Sequence, residues 1–317
     1  MNSHETVTVA PRRRSDEPRE TVRRFPLGRW ISGALILVLL VAFVFSMAQA
    51  KISWPAVAGY IVDPEFIAAL GRVIVLAVVS LVGAVVLGLI VAVMQDSKNP
   101  VASLTGKFYV WFFRGVPLLL QILLWYNIAL VFSRITIGIP GTDIVFFDQS
   151  ANEVFTPFLA ALLGLALHEA AYMAEIIRAG LRSVDRGQLE AASALGMPPL
   201  MSLRRIILPQ SMRTIIPPTG NEFINMLKAT SLAATVTYPE LLYIAQNTAA
   251  INLEVMETLI AATFWYMVAV SAFSVGQYFL EKKFNASVAM TPGQTGMKIF
   301  KRAISLPIGR IAGTGRN

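Results

Sequence analysis

The sequence contains no cysteine. A disulfide framework, a thiolate nucleophile and a Cys-ligated metal are therefore excluded. Histidine is nearly as scarce: His4 and His168 are the only two in 317 residues, too few for a multi-His zinc site. Charge is thin as well. Asp, Glu, Lys and Arg make up 15% of the chain, against about 25% in a soluble domain. No G-x-x-x-x-G-K-[ST] run occurs, since Gly106-Lys107 lacks the upstream glycine and is followed by Phe108. The chain has no phosphate-cradling loop of its own. Enzyme chemistry is poorly served too. His168-Glu169 begins an HExxH pattern, but Tyr172 stands at the second histidine position.

What fills the chain is apolar. Hydrophobic residues reach 55% and the mean hydropathy is +0.61, which specifies an integral membrane protein. The pattern predicts an all-α fold with spans at about 30–50, 66–94, 108–132, 157–177, 214–236 and 255–280, each long enough for a bilayer. Residues 51–65, with Trp54, Pro55 and Pro64, read as a short interfacial or external link. Gly71, Gly83 and Gly88 interrupt the second span and suggest close helix contact. Ala48-Gln49-Ala50 resembles a signal-peptidase site, but the apolar stretch before it exceeds the usual ~7–15 residues, so an uncleaved anchor is expected.

Six crossings put both termini on one side of the membrane. The basic clusters then share that side: the Arg-rich tail 1–29, expected to be disordered, the 95–107 loop, the 178–213 region and the 282–317 tail. The acidic segments around Asp143 and Glu254 fall on the other side. By the positive-inside rule the basic side is cytoplasmic. The net charge of +8 is then accounted for by topology and anionic lipid, without nucleic acid.

Between the fourth and fifth spans lies a polar elbow, Glu190 to Pro209. Asp185 is placed to cap a first helix, with Gln188 at capping-box spacing. Gly196 suits the left-handed end of that helix, and Pro198-Pro199 open a second one that ends near Pro209. Polar residues also recur inside the spans, where a charge costs at least ~2.5 kcal/mol. At about 100° per residue, Arg114 shares a face with Gln121. His168, Tyr172 and Glu175 form a stripe on the fourth span, with Glu169 pointing elsewhere. Asn221, Asn225, Lys228 and Thr235 form another on the fifth, with Glu222 at its edge. Such stripes must face one another or an aqueous path. The rival reading is a set of buried salt bridges, Glu175 with Arg178 or Glu222 with Lys228.

Glu190-Ala191-Ala192, Gly196, Ile206 and Leu208-Pro209 match every position of the EAA loop, and the chain thereby resembles the permeases of ABC importers. Arg114-Gly115-Val116-Pro117 through Gln121, Ala171 through Gly180, and Asn225 through Leu232 are similar to the polar amino-acid branch of that family, with Val116 where Thr is usual and His168-Glu169 where Asn-Ser is frequent. The resemblance covers about residues 66–281 and implies a five-helix type I core, so the 30–50 span is an addition. It further implies a multi-pass protein of the bacterial inner membrane with cytoplasmic termini. Its expected partners are cytoplasmic ATPase subunits that bind ATP and Mg, a second permease copy or a related permease, and an external solute-binding protein. The Glu190–Pro209 loop would dock on the ATPase. The cargo would be a polar amino acid or a similar small solute. An ion-driven transporter or channel without an ATPase, or an importer of an osmolyte, remains the alternative.

Overall fold

The structure is a computed structural model and describes residues 27–49, 51–139 and 144–285. Most of both basic tails, together with Ala50 and Asp143, lies outside the described residues. The chain divides into two units, residues 1–52 and 53–317. The first contains α1 (Leu27–Ala48), whose apolar side chains from Trp30 to Phe45 are exposed.

The second unit opens where the sequence suggested only a link. Ser53 caps α2 (Trp54–Val62), with Pro55 in the first turn. Asp63 ends α2 and starts α3 (Pro64–Gln95), its carboxylate accepting from Glu65 N at 2.7 Å. Asn99 and Pro100 open α4 (Pro100–Gly115) in the same way, and Thr156 and Pro157 open α7 (Pro157–Arg182). α3 and α7 form the centre of the core. Buried positions on α3 recur as Ala69, Val73, Leu76, Ala77, Ser80, Ala84, Gly88 and Val91, a helical stripe. They meet small residues of α7, among them Ala166, Ala170 and Ala174. Without a hydrophobic driving force in lipid, this close fit is what holds two helices together. Of the three glycines expected at contacts, Gly88 is the tight one: a Cβ there would lie 2.7 Å from Met173 Cβ. Gly83 has ordinary contact with Ala166, and Gly71 faces open space.

The expected third span is not one straight helix. α4 and α5 (Leu118–Tyr126) meet at a bend of 100°. Val116 is extended, as a residue before proline prefers, and Pro117 has no N–H to continue the ladder. A 3-10 turn (Ile128–Leu130) follows, then an antiparallel hairpin of β1 (Arg134–Gly138) and β2 (Val145–Ser150). Arg134 pairs with Ser150 and Thr136 with Asp148, so the fold is helical as expected, with one small hairpin added among the described residues. α6 (Ala151–Val154) leads into α7.

After α7 come α8 (Arg186–Ala194) and α9 (Pro199–Ser202). The second helix of the elbow does not end at Pro209. It widens into a π turn, Leu203–Ile207, in which Leu208 N bonds Leu203 O, and continues as α10 (Leu208–Ala229). The wider turn relieves the clash a proline ring makes with the preceding turn, so Pro209 sits inside a continuous rod. A 3-10 segment (Thr230–Val236) ends it, and Glu240 caps α11 (Leu241–Asn252) before α12 (Val255–Asn285). Among the described residues three helices are long and apolar enough to cross a membrane, Pro64–Gln95, Pro157–Arg182 and Val255–Phe284, or four if the bent α4–α5 pair counts as a span.

Candidate functional site

The elbow is built around one backbone position. Asp185 caps α8 by accepting from Gly187 N at 2.7 Å, one residue earlier than the capping-box geometry would place the bond. At the other end Gly196 has φ +66. Gly196 N reaches Ser193 O and Met197 N reaches Ala192 O, both at 3.0 Å, the paired closure of a Schellman turn. The turn leaves apolar side chains in the open: Leu195 is 80% and Leu200 75% exposed, with Leu203 and Leu208 nearly half exposed. Glu190, Ala191 and Pro209 are exposed, Ile206 is half-buried, and Ala192 is buried.

A second feature lies where α5, α7 and α10 converge. A cavity of about 320 Å³ is lined by Leu118, by Leu165, His168, Glu169 and Tyr172, and by Glu222, Asn225, Met226 and Ala229. Both long helices contribute side chains at i, i+3, i+4 and i+7, one face of each. Glu169 is 8% exposed, and its Oε1 has no hydrogen-bond partner among the described residues. An unpaired buried carboxylate is costly, so this wall favours a cation or a proton donor. Glu222 takes a bond from Asn225 Nδ2 at 3.3 Å. Arg114 lies over the Tyr172 ring, 5.0 Å from its centroid. Gln121 is buried at the α4–α5 bend and touches His168 Nδ1 at 3.0 Å.

Of the residues expected on the polar stripes, the structure brings His168, Tyr172 and Asn225 to this cavity, with Arg114 and Gln121 directly behind its wall. Glu169 and Glu222 belong to it as well, although the sequence reading set them aside. The i, i+3, i+4, i+7 pattern from Leu165 to Tyr172 was the available signal. Glu175 stands elsewhere: its Oε1 accepts from Arg178 at 2.8 Å and from Gln95 at 3.1 Å. Asp96 joins that cluster through Arg178 and Arg182, so Glu175 belongs to an ion-pair network linking the ends of α3 and α7. Lys228 lines a separate cavity of about 290 Å³ with Ser231, Thr263 and Tyr266. Asn221 reaches Glu281 at 3.4 Å. Neither Glu175–Arg178 nor any other pair makes a salt bridge across the Glu169 cavity among the described residues. No group of three or more His, Asp or Glu there has metal-site geometry.

Long apolar helices around a polar cavity, with exposed leucines on the elbow, are an arrangement that suits a membrane transport subunit. The chain belongs to the family of binding-protein-dependent transport system inner membrane components, whose pattern matches residues 84–286. It is 42% identical over 266 residues to the arginine transport system permease protein ArgU of Corynebacterium glutamicum, spanning 83% of this chain and 82% of that one. It is 40% identical over 219 residues to the probable amino-acid permease protein YxeN of Bacillus subtilis, spanning 69% and 91%. Among solved structures, an amino acid ABC transporter crystallised with histidines superposes with a TM-score of 0.62 at 32% identity, covering 74% of this chain and 100% of that one. The chain is thus the permease subunit of an ABC importer, a multi-pass component of the inner membrane.

Proposed function

We propose that this permease carries a polar amino acid, with the Glu169–Glu222 cavity receiving its cationic end. The single observation behind this reading is the buried, unpartnered Glu169 Oε1 in a cavity whose second carboxylate is Glu222. An α-ammonium or a guanidinium supplies the missing donors, and charge-assisted bonds of this kind are the strong ones. The permease relatives act on amino acids, which agrees with that chemistry.

The Glu190–Pro209 elbow is the docking element for a separate ATPase, which binds ATP and Mg. Leu195 and Leu200, exposed in water, gain by burial against such a partner. One chain presents one elbow, so a second permease copy, identical or related, completes a two-fold assembly. An external binding protein delivers solute, and the basic flanks of the chain support cytoplasmic termini. The test is uptake into proteoliposomes holding the assembled importer, its ATPase and its binding protein, with a panel of labelled amino acids. ATP-driven uptake of a basic or neutral polar amino acid is expected. Uptake without nucleotide, or of an osmolyte but no amino acid, overturns the reading.

A further inference from the structure

Between α3, α7, α10 and α12 runs a larger cavity, of about 550 Å³. Its wall is mostly aliphatic and aromatic: Leu89 of α3, Leu181 of α7, Leu208 and Phe223 of α10, Phe273 and Leu280 of α12. The few polar side chains in it are engaged already. Thr219 Oγ1 donates to Ile215 O at 2.8 Å, and Gln277 Nε2 to Pro217 O at 2.7 Å. Such a wall suits an apolar guest. The cavity is open to one, since Leu89 and Leu208 are about half exposed.

Charge and length narrow the choice of guest. Phe223 meets Phe273, and Pro217 meets Gln277, so α10 and α12 run antiparallel. Ten residues from the two phenylalanines, toward the elbow, stand Arg213 and Lys283. Arg213 precedes Ile216 and Gly220 by three and seven residues, and Lys283 follows Leu280 and Gly276 by the same steps, so both lie on the cavity side of their helices. Both are exposed, and neither makes a salt bridge among the described residues. The acid beside them, Glu281, accepts from Gln277 at 2.9 Å and Asn221 at 3.4 Å. With Lys282, three cations outweigh that one carboxylate, and this end is positive. At 1.5 Å per residue it lies about 15 Å from the phenylalanines, half of a hydrocarbon core of about 30 Å. A helix about 10 Å across would need about 1,200 Å³ over that length, roughly twice what the cavity holds. A fatty-acyl chain is far thinner.

We propose that this cavity seats an anionic phospholipid, with one acyl chain reaching Phe223 and Phe273 and the phosphate held between Arg213 and Lys283. Lipid tails are as apolar as the wall, so the chain fills space and gains only dispersion contacts over bulk lipid. Selection comes from the headgroup, at about fivefold for each Lys or Arg close to it. With the elbow in the cytoplasm, as proposed above, the lipid belongs to the inner leaflet. Its binding depends on neither that orientation nor the cargo.

Photolabelling tests this. The full-length permease, assembled with its ATPase, is placed in phosphatidylcholine nanodiscs carrying a trace of lipid with a diazirine near the end of one acyl chain. The probe is phosphatidylglycerol in one sample and phosphatidylcholine with the same chains in the other. Labelled residues are assigned by tandem mass spectrometry. Phosphatidylglycerol should label Phe223 or Phe273 about tenfold or more above phosphatidylcholine, the product of two fivefold contacts less some screening. Val275 and Tyr278, exposed on the far face of α12, report ordinary boundary lipid and should take both probes alike. Arg213→Gln with Lys283→Gln should abolish the preference in the cavity and leave Val275 and Tyr278 as they were. Equal labelling of the cavity by both probes in the wild type overturns the proposal, and that comparison decides even if the variant fails to assemble. A preference that survives in the variant overturns the headgroup site. Label at Val275 and Tyr278 with none in the cavity would mean that protein fills it, a second copy or α1, and overturns the proposal as well. Uptake is not part of the measurement, so failure of the amino-acid cargo would leave the result standing.

Discussion

Gln277 on α12 donates from Nε2 to Pro217 O on α10 at 2.7 Å. The second N–H of that amide reaches Glu281 Oε1 at 2.9 Å, so both of its donors are used. The contact is possible because residue 220 is glycine: a Cβ there would stand 1.7 Å from Gln277 Oε1. Pro217 and Pro218 lie inside α10, where prolines deprive the helix of ladder bonds. The clasp fastens the rod running from the elbow to α12 at its weakest point.

Gly220→Ala would therefore push the Gln277 amide aside and lose the Pro217 bond, at a cost of about 0.5–1.5 kcal/mol. Gln277→Leu should cost a similar amount by removing the same bond. Because both act on one contact, the double variant should cost no more than about the larger single effect. Thermal unfolding of the purified assembly in detergent measures all three. Additive losses would show that Gly220 and Gln277 act separately.

Much of the helical plan is readable from the residues themselves. Thr156-Pro157 and Asp185 mark helix starts by local chemistry, and both helices start there. Asp63-Pro64 and Asn99-Pro100 carry the same signal, although hydropathy alone assigned them to the 51–65 link and the 95–107 loop. The 100° bend at Val116-Pro117 and the passage of the helix through Pro209 are harder to read. Both positions carry proline in apolar surroundings, yet one breaks the helix and the other is absorbed by a π turn. The outcome depends on what can satisfy the freed carbonyl; at Pro117 that is Gln121 of the next helix, whose Nε2 donates to Phe113 O at 3.0 Å. Local patterning does not contain that information.

Gly196 sets the turn of the elbow at φ +66, a conformation that costs a β-substituted residue about 1–2 kcal/mol. Gly196→Val should lower uptake and solute-stimulated ATP hydrolysis together, with normal membrane insertion, whereas Gly196→Asn should be tolerated because Asn accepts the left-handed region. Glu190→Lys reverses an exposed charge without a packing cost and should separate the two activities from stability in the same way. Uptake and hydrolysis assays on one preparation, beside its Tm, give the answer. Full activity in Gly196→Val would mean that the elbow is not a lever.

The hairpin provides a pH prediction. Arg134 grips Asp148 through Nε to Oδ1 at 2.9 Å and Nη2 to Oδ2 at 2.7 Å. This hydrogen bonding, aided by Thr136, holds the Asp148 carboxyl below the ordinary carboxylate range. A lowered folded-state pKa gives stability that is fully present above the unfolded value, ~3.9, and is lost as pH falls through the folded one. The hairpin's protection should therefore be insensitive to pH from about 8 to 5 and fall only in stronger acid. Asp148→Asn should show the lowered protection already at neutral pH. Amide exchange protection of residues 134–150, wild type against variant at each pH, checks the sign. Wild-type protection that falls between pH 8 and 5 would contradict it.

The polar stripes teach a different lesson about what sequence carries. His168, Tyr172 and Glu175 share a helix face, but α3 presents Gln95 and Asp96 at one end of α7 while α10 presents Glu222 and Asn225 further along. One stripe is thereby divided between an ion-pair cluster and a cavity, and helix periodicity cannot say where the division falls. The division has separable consequences. Glu169→Gln should raise the KM for labelled arginine by about tenfold or more, the loss expected when a buried charge-assisted contact becomes neutral, and should affect a neutral amino acid less. Glu175→Gln weakens the bond to Arg178 at 2.8 Å and should lower Tm slightly, leaving KM and the order of preference among amino acids as they are. Lys228→Met, on a wall that Glu169 does not share, should leave the arginine KM unchanged too. Uptake kinetics for arginine and one neutral amino acid across the three variants distinguish these outcomes. A change of selectivity in Glu175→Gln with none in Glu169→Gln would move the solute path from the α7–α10 cavity to the α3–α7 network.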